Sequence, residues 1–592
     1  MKNFKYITIL ICSFMIAACT SKNENPAQNA IQAPFHSTEW LAEGSEAGVN
    51  IDRYLSAMEA FGFSGAIIVS EGDQVVLRKG YGLADRESRR PYKPNTIQTS
   101  ASITKQFTGA AILLLESRGE LSVTDPLTKY FEQVPEEKQD ITIHQLLTHS
   151  SGLTAGFGDD EDPMDKHTYL AGVLAQPLYF DPGTGHAYSN SGYSLLGMIV
   201  EQVSGVNYET FLRNELLLPS GMTNTGYVLP DWNPENMAVG YRNGETWGLV
   251  HKRGWIEDGP NWVLRANGGL HTTVEDMGKW LKTVQGLGVL DEDAAKRWTT
   301  GYEIENDGFS EYGYGWRVFD HNRWGKVITH GGSNLIFEAD FVWLPEKDFF
   351  FYIQGNTSMV TARSQSANIL NAAFDSSFVM PPLVEVDESA DSALAHQRAE
   401  TYHLYDGNLE LTADDTRLVA KVAGQSVFDL MFSHNDDQKI RFAKLNERTR
   451  IAMDKMQAGR KDALSGLVHE ETDAITATAP FLRRINQIGN LDSLHVIGTF
   501  ANAPGSRFYE SGPWTTFVYA EFATWNQYWN LVWGEDETYR EDRRGPWPAF
   551  TLVPTADGQY TGVRQEAPWD VIELRFGDEC LVIGEKRACP EK

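Results

Sequence analysis

The sequence predicts an α+β fold for residues 48–378, followed by a mostly antiparallel β domain at residues 401–592. In the first region, strand-like segments lie at both ends and helical sequence lies between them. Strands placed in this way commonly join one antiparallel sheet that helices flank. The second region is rich in strand-forming residues and tryptophan, and paired prolines with an acidic run at residues 379–400 mark a linker.

Each element of the first region has a local signal. A helix is predicted near Ile51–Phe61, and two β-rich runs after it form a hairpin about Glu71-Gly72-Asp73. A buried helix runs from Ser102 to Gly119, where the glycine ends it. Helical and loop-rich sequence continues to roughly Trp280. Strands then return in KVITHGGSNLIFEADFVWLPEKDFFFYIQGN, and SQSANILNAAF predicts a closing helix.

In the C-terminal region, antiparallel strands are predicted on both sides of a helical segment near Glu447–Leu467. Tryptophans are frequent here, namely Trp514, Trp525, Trp529, Trp533, Trp547 and Trp569. Burial in the core of a β structure is enough to explain such aromatic residues. A platform for a carbohydrate ligand is the alternative.

Two cysteines near the C-terminus, Cys580 and Cys589, flank a segment that can form a hairpin. Gly584-Glu585 would be its turn, because glycine is favoured at the first position of a type II′ turn. Counting outward from that turn, Cys580 faces Cys589. In an oxidising compartment the pair could close a disulfide, and two reduced cysteines in an edge hairpin are the alternative.

The N-terminal segment predicts export. Lysines precede an apolar run, Ile7–Ala18, which is too short for a comfortable membrane span and is typical of a signal peptide. Its end resembles the lipobox of bacterial lipoproteins. This resemblance implies removal of residues 1–18 and a lipid on the sulfur of Cys19, with residues 19–47 as a tether. An ordinary cleaved signal peptide is the alternative.

Composition narrows the range of functions. The chain of 592 residues is 42% hydrophobic and 22% charged, which is typical of globular domains. Its formal net charge of −29 argues against nucleic acid or an anionic membrane surface as a partner. We find no cysteine-rich metal site, no zinc-binding helix and no glycine-rich phosphate loop, so no metal or cofactor is expected.

The first turn of the predicted buried helix carries Ser102 and Lys105. Residues three apart share one helix face. A buried ammonium loses solvation and gives up its proton more readily, and the helix N-terminus favours negative charge on the serine oxygen. The pair could therefore form an activated hydroxyl nucleophile. A capping serine beside a lysine that reaches the surface is the alternative.

Two further motifs follow in a fixed order: Tyr188-Ser189-Asn190, and His330-Gly331-Gly332 within a strand-like run. The three motifs together resemble those of the serine β-lactamase and penicillin-binding-protein superfamily. Class C β-lactamases, D-alanyl-D-alanine carboxypeptidases, D-aminopeptidases and related esterases are the most similar groups. Over residues 48–378 the resemblance implies a β-lactamase/transpeptidase-like fold, with a helical subdomain beside the sheet.

The resemblance also implies a role for each catalytic residue. Ser102 would be the acylated nucleophile and Lys105 its activating neighbour. Tyr188 would relay a proton to the leaving group. Whether Lys105 or Tyr188 is the general base stays open, since coupled groups share their titration.

The remaining motif residues would bind the substrate. Asn190 would hydrogen-bond the acyl side, and the backbone N–H groups of the nucleophile and of Ser333 would form the oxyanion hole. Gly331 and Gly332 would let the substrate approach the strand closely. His330 stands where relatives that bind a carboxylate often have lysine, and histidine is largely neutral near pH 7.

The motifs therefore predict a serine hydrolase that cleaves an ester, an amide or a D-amino-acid-containing peptide through an acyl-enzyme. A β-lactamase or D-alanyl-D-alanine carboxypeptidase is one alternative, and a non-catalytic protein that binds an envelope polymer is another. The expected partners are a small-molecule or peptide substrate and the membrane, through the lipid anchor. We expect the protein in the bacterial cell envelope, at the periplasmic or surface side of the outer membrane. Two further histidines near the motifs, His149 and His186, are interpreted as scaffold.

Overall fold

The computed structural model describes residues 39–592 except for short gaps, which are residues 243, 306–307, 388, 433, 471, 489–490, 503–511, 524–526, 545–548, 556–557, 564–570, 578–579 and 589–592. The predicted signal segment and Cys19 lie outside the described residues. Ser37–Lys592 form one compact unit. Within the described ranges, no helix is both long and apolar enough to cross a membrane.

The strands of the first region are, in chain order, β1 (Trp40–Leu41), β2 (Gly65–Glu71), β3 (Gln74–Tyr81), β4 (Leu83–Asp85), β5 (Arg90–Pro91), β6 (Gln98–Thr99), β7 (Gly240–Arg242), β8 (Glu245–Gly248), β9 (Trp255–Ile256), β10 (Gly259–Pro260), β11 (His271–Thr272), β12 (Glu303–Ile304), β13 (Glu311–Tyr312), β14 (Arg317–His321), β15 (Gly325–Ser333), β16 (Glu338–Leu344) and β17 (Phe349–Gly355).

The α-helices of this region are α1 (Glu46–Ala60), α2 (Thr104–Ser117), α3 (Ile143–Leu147), α4 (Lys166–Ala175), α5 (Asn190–Ser204), α6 (Tyr208–Phe211), α7 (Val274–Val284), α8 (Glu292–Trp298) and α9 (Ser366–Phe374). Helix α2 begins two residues later than the sequence predicts. Ser102 lies instead in a 3-10 turn, Ala101–Ile103, that leads directly into the helix.

The main sheet is antiparallel, with the strand order β1-β3-β2-β17-β16-β15-β14-β13-β12. Strand β17 pairs with β2 along its whole length, from Phe349 opposite Glu71 to Gly355 opposite Gly65. The first and last strands of the region therefore lie side by side, which confirms the predicted α+β arrangement.

Helices cover both faces of this sheet. On one face, α1 and α9 pack together over residues such as Ile67 and Phe351. On the other face, α2, α5 and α7 form a larger core. Helix α2 lies in the middle of that core, and every residue from Thr104 to Leu115 is buried. Phe107 stacks on Trp280 of α7 with ring centroids 4.3 Å apart.

The C-terminal region contains β18 (Thr401–Leu404), β19 (Gly407–Asp414), β20 (Arg417–Ala423), β21 (Leu491–Ala501), β22 (Trp514–Phe522), β23 (Gln527–Trp533), β24 (Tyr539–Arg544), β25 (Ala549–Thr555), β26 (Gln559–Val563), β27 (Val571–Phe576), β28 (Leu581–Ile583) and β29 (Lys586–Ala588). They form two antiparallel sheets, ordered β18-β19-β20-β25-β26-β27-β28-β29 and β21-β22-β23-β24. This confirms the predicted antiparallel β region.

The helices beyond residue 378 are α10 (Ser392–Arg398), α11 (Gln425–Met431), α12 (Asp436–Gln457) and α13 (Ala474–Ile488). Helix α12 begins earlier than the predicted segment Glu447–Leu467. A capping box, in which Asn435 and Gln438 exchange side-chain to backbone hydrogen bonds, fixes its start. The predicted linker, residues 379–400, contains α10.

Tryptophans of the β region lie in its core. Trp529 and Trp533 are fully buried and Trp514 is nearly so, which favours the core interpretation for these three. Trp525, Trp547 and Trp569 lie outside the described residues.

The predicted C-terminal hairpin is present, with Ile583 opposite Lys586. Cys580 is disulfide-bonded, and Cys589 lies outside the described residues.

The two regions pack against each other. Val553 and Val563 of the β region join the same apolar core as α1 and α9. Arg417 donates a hydrogen bond to the carbonyl oxygen of Ala60 at 3.1 Å, and Arg86 pairs with the buried carboxylate of Asp414. The domain boundaries drawn from the sequence stay predictions.

Replacing Gly109 of α2 with alanine should destabilise the fold, although alanine favours a helix by about 1 kcal/mol. The added Cβ would lie 2.3 Å from the carbonyl oxygen of Tyr314, which Trp298 also holds by a 2.9 Å hydrogen bond. Overpacking of this kind costs about 1–3 kcal/mol. Urea unfolding should show the loss for Gly109→Ala. Gly192→Ala on α5, where a Cβ meets its nearest neighbour at 3.5 Å, is the control and should lose nothing. Equal stability of the two variants would contradict the packing described here.

Candidate active site

Ser102 lies on a strained turn. Ala101, directly before it, has a φ of 47°, in the left-handed region that residues with a Cβ rarely adopt. The turn is held on its inner side by Ser100, whose backbone N–H and hydroxyl both donate to the carbonyl oxygen of Leu270, at 2.7 and 3.0 Å. This strain is typical of functional turns, and it places Ser102 at the surface of a cleft while Lys105 is buried beneath it.

Lys105 is surrounded by oxygen atoms. Its Nζ lies 2.8 Å from Asn190 Oδ1, 2.7 Å from the carbonyl oxygen of Asn267 and 3.3 Å from Ser102 Oγ. Burial holds the pKa of Lys105 well below its ordinary value, and the charge of Asp160 opposes this only in part. When the amine is neutral, its two N–H groups donate hydrogen bonds to these two amide oxygens. The remaining lone pair then faces the hydroxyl of Ser102, which is the geometry of a general base.

Tyr188 lies beside this pair. Its ring lies 4.8 Å from Lys105 Nζ, measured to the ring centroid. Burial raises the pKa of Tyr188, and hydrogen bonding to Ser102 opposes that rise. Tyr188 is therefore a phenol near neutral pH, with a proton to give. The pKa of Lys105 is lowered and that of Tyr188 is raised, which suits the amine to act as a base and the phenol to act as an acid.

Asn190 is the first residue of α5, and the start of that helix is fixed locally. Ser189 caps it by accepting from the N–H of Gly192 at 3.1 Å. The Ser189 N–H donates to Nδ1 of buried His149 at 3.1 Å. The His149 ring packs against Tyr188, with centroids 4.3 Å apart. These contacts agree with a scaffold role for His149.

The third motif lies at the end of β15. His330 is buried, and its Nε2 and Nδ1 lie 2.8 Å from the Tyr312 hydroxyl and from the Gly331 carbonyl oxygen. Burial lowers the pKa of His330 to about 3. His330 is therefore neutral near pH 7. Ser333, three residues on, is held by a 3.0 Å hydrogen bond to Glu338.

The glycines of this motif have another physical reason than the one inferred from the sequence. A Cβ on Gly332 would lie 2.0 Å from the carbonyl oxygen of Ser100. Glycine is thus required for β15 to pack against the turn that carries the nucleophile. A Cβ on Gly331 would lie 2.6 Å from Arg363 Nε, so this glycine makes room for a protein side chain.

Two cavities open on either side of the nucleophile, and both Ser102 and Ser333 line each of them. The first, of about 380 Å³, is also lined by Asn190 and Asn267 and by the acidic stretch 159–161. The second, of about 490 Å³, is lined on its inner wall by Tyr188, Tyr312, His330, Arg317 and Arg363. The two cavities therefore meet at Ser102 and Ser333.

The structure adds site residues that the sequence did not reveal. Asn267 contributes a backbone carbonyl, which every residue has, so no pattern could have marked it. Its side chain donates to Ser194 Oγ at 2.9 Å and to the Val263 carbonyl oxygen at 2.7 Å, which fixes that carbonyl toward Lys105. Arg363 and Tyr312 belong to none of the three motifs and reach the site only through the folding of the sheet.

The comparisons with known proteins agree with this geometry. Residues 53–374 match the model of the Beta-lactamase family, and this range is more than half of the 592 residues. The chain belongs to the β-lactamase family. This confirms the resemblance to the serine β-lactamase and penicillin-binding-protein superfamily that the three motifs indicate.

Relatives of this β-lactamase-family chain include a penicillin-binding protein of Bacillus subtilis, 26% identical over 395 residues, which are 62% of this chain and 86% of that protein. A putative penicillin-binding protein of the same organism is 33% identical over 189 residues, 31% of this chain and 46% of its own length. The octameric penicillin-binding protein homologue from Pyrococcus abyssi shares the fold, with a TM-score of 0.50 at 19% identity over 88% of this chain and 99% of that one.

Two buried histidines should make stability depend on pH. Burial lowers the folded pKa of both His330 and His271 from 6.5 to about 3. The unfolded chain therefore binds a proton at each site that the folded protein does not. Their stabilisation is complete above about pH 6.5 and is lost as the pH falls toward about 3.

Between about pH 6 and pH 4, the free energy of unfolding should fall by about 1.4 kcal/mol per pH unit for each of these histidines. Urea unfolding across this range measures the slope. His330→Asn and His271→Asn should each reduce this slope by about 1.4 kcal/mol per pH unit, which is the contribution of one bound proton. An undiminished slope in both variants would contradict the neutral state of these side chains.

Proposed function

We propose that this β-lactamase-family protein is a serine hydrolase that cleaves an ester, an amide or a D-amino-acid-containing peptide through a covalent acyl-enzyme on Ser102. One observation carries the proposal. Lys105 Nζ has two oxygen acceptors, Asn190 Oδ1 and the Asn267 carbonyl, at 2.8 and 2.7 Å, and its third direction faces Ser102 Oγ. An amine held in this way is pre-organised to take the serine proton.

Acylation then follows in balanced steps. Lys105 takes the proton of Ser102 as Oγ bonds to the substrate carbonyl carbon, and the N–H groups of Ser102 and Ser333 hold the oxyanion. Tyr188 gives its proton to the leaving group as the carbonyl re-forms and the bond to that group breaks. The Lys105 ammonium returns a proton to the Tyr188 phenolate. The same two groups would activate the water that releases the acyl group.

The second cavity favours a leaving group that carries a carboxylate. His330 supplies no charge there, but exposed Arg363 lies at the rim, next to Gly331. Arg317 in the same cavity is paired with Glu305 at 2.8 Å. Arg363 would therefore supply the cation that lysine provides in relatives. This observation keeps a D-alanyl-D-alanine carboxypeptidase or a β-lactamase as the second candidate.

The place of action is proposed from the sequence alone. Residues 1–18 have the features of a lipoprotein signal, and Cys19 would carry the lipid, with the tether leading to the folded unit. We place the enzyme in the bacterial cell envelope, where it would meet peptide or small-molecule substrates outside the cytoplasm.

Ser102→Ala should abolish hydrolysis of p-nitrophenyl acetate, with a loss of about a thousandfold or more, because it removes the hydroxyl that would form the acyl-enzyme. Intact-protein mass spectrometry should detect the acetyl group on the wild type and not on the variant. Ser117→Ala, which removes a hydroxyl bonded to the Leu114 carbonyl at the far end of α2, is the control and should retain activity. Equal rates for Ser102→Ala and the wild type would overturn the proposal and favour the polymer-binding alternative.

Arg363→Gln should raise KM by about tenfold or more for a D-alanyl-D-alanine peptide with a free carboxylate, since a hydrogen bond between charged groups contributes about 1.5–3 kcal/mol. The amide of the same peptide should be cleaved by both proteins with the same KM. Arg253→Gln, in the first cavity and paired with Glu161, is the matched control. A similar KM increase for the amide would show that Arg363 does not recognise the carboxylate.

A further inference from the structure

A second tyrosine lies between the motif histidine and the catalytic tyrosine. Tyr312 is buried, and its hydroxyl is 2.8 Å from His330 Nε2. Its ring meets that of Tyr188 edge to face, with centroids 5.9 Å apart and an interplanar angle of 87°. The rings of His330 and Tyr188 are farther apart, at 6.3 Å. The side chain of Tyr312 therefore connects the two.

The direction of each hydrogen bond follows from counting protons. The Gly331 carbonyl can only accept, so Nδ1 of His330, at 2.8 Å from it, carries the proton. In a neutral imidazole Nε2 is then an acceptor, and the Tyr312 hydroxyl must donate to it. The oxygen of Tyr312 is left as an acceptor toward its other neighbours. Tyr193 uses its own proton on the Leu147 carbonyl at 2.8 Å, so toward Tyr312 it can only accept.

Packing keeps both tyrosine rings in place. His149 lies against the two of them, with centroids 4.3 Å from Tyr188 and 4.4 Å from Tyr312. The Tyr312 hydroxyl therefore has a fixed place beside Tyr188, and its one proton is directed to the imidazole of His330.

We propose that Tyr312 is a positioning residue for Tyr188, which makes its single proton available to the catalytic oxygen whenever that oxygen becomes negative. This inference rests on the proposed acyl-enzyme function. While Tyr188 is a phenol, Tyr312 donates to His330. When Tyr188 has given its proton to the leaving group, rotation of the Tyr312 hydroxyl directs its proton to the phenolate. The proton stays on Tyr312 throughout.

The electrostatic environment supports this role. Hydrogen bonding to Tyr312 lowers the pKa of Tyr188, against the larger effect of burial. The other titratable or charged side chains around the pair are Lys105, His149, His186, Tyr193, Glu305, Arg317, His330 and Arg363. Of these, His330 accepts the Tyr312 proton at 2.8 Å, so the hydroxyl has to turn from His330 to reach the Tyr188 oxygen.

The test measures how strongly the rate depends on the leaving group. Acetates of p-nitrophenol, phenol and methanol give the same acyl-enzyme, and their leaving groups need protonation to an increasing degree. Tyr312→Phe should lower kcat/KM for methyl acetate by about tenfold or more, the value of one hydrogen bond of about 1.4 kcal/mol to a developing charge. For p-nitrophenyl acetate, whose leaving group departs as an anion, the rate should change by less than about threefold.

Tyr314→Phe is the matched control. Tyr314 is two residues away, equally buried, and its hydroxyl is bonded to a histidine, His144 Nδ1, at 2.9 Å. Both variants lose a tyrosine–histidine hydrogen bond, so their loss of stability should be similar. Only Tyr312→Phe should make the rate more dependent on the leaving group. If this variant proves too unstable to assay, His330→Leu removes the competing acceptor, so the Tyr312 proton stays available to Tyr188 and the dependence on the leaving group should become weaker.

A double-mutant cycle separates action through Tyr188 from an independent effect. Adding Tyr312→Phe to Tyr188→Phe should cost no further activity on methyl acetate. An additional loss there, or an equal loss on all three acetates in Tyr312→Phe, would overturn the inference while leaving the proposed function intact. If wild type and Ser102→Ala hydrolyse the acetates equally, the proposed function fails and the inference fails with it.

Discussion

The site depends on the burial of one amine. Lys105 lies inside an apolar helix core, where an ammonium would lose its hydration, and the fold compensates with two amide oxygens at 2.8 and 2.7 Å. Those oxygens come from Asn190, at the start of α5, and from Asn267, which is anchored to α5 through Ser194. The contact between α2 and α5 therefore holds the Lys105 side chain in place and also sets the environment that lowers its pKa.

The remaining catalytic parts are fixed relative to that helix pair by the sheet. Strand β15 packs so closely on the turn before Ser102 that Gly332 leaves no room for a side chain. The pairing of β2 with β17 holds the first and last strands of the region in one sheet. Ser102, Tyr188 and strand β15 come from three separate segments, and the packing at this junction sets their distances.

The electrostatics of the cleft follow from burial. Burial lowers the pKa of Lys105 and of His330 and raises that of Tyr188. An amine of lowered pKa and a phenol of raised pKa thus lie beside one hydroxyl, an arrangement typical of a base and an acid. The charge needed to bind a substrate is displaced to the walls of the two cavities, where Arg363 and residues 159–161 lie.

The sequence by itself determined the α+β layout, the antiparallel β region, the Ser102–Lys105 pair and the order of the three motifs. These features depend on the periodicity of apolar residues, on turn-forming residues and on the spacing of residues within a motif. All three are local properties of the sequence. It placed the helix start two residues too early, and it did not reveal that Gly332 has to pack against Ser100. Only the tertiary structure decided which carbonyl faces Lys105, which arginine faces the second cavity, and that Tyr312 connects His330 to Tyr188. Such contacts join residues far apart in the chain, and the packing of whole elements creates them.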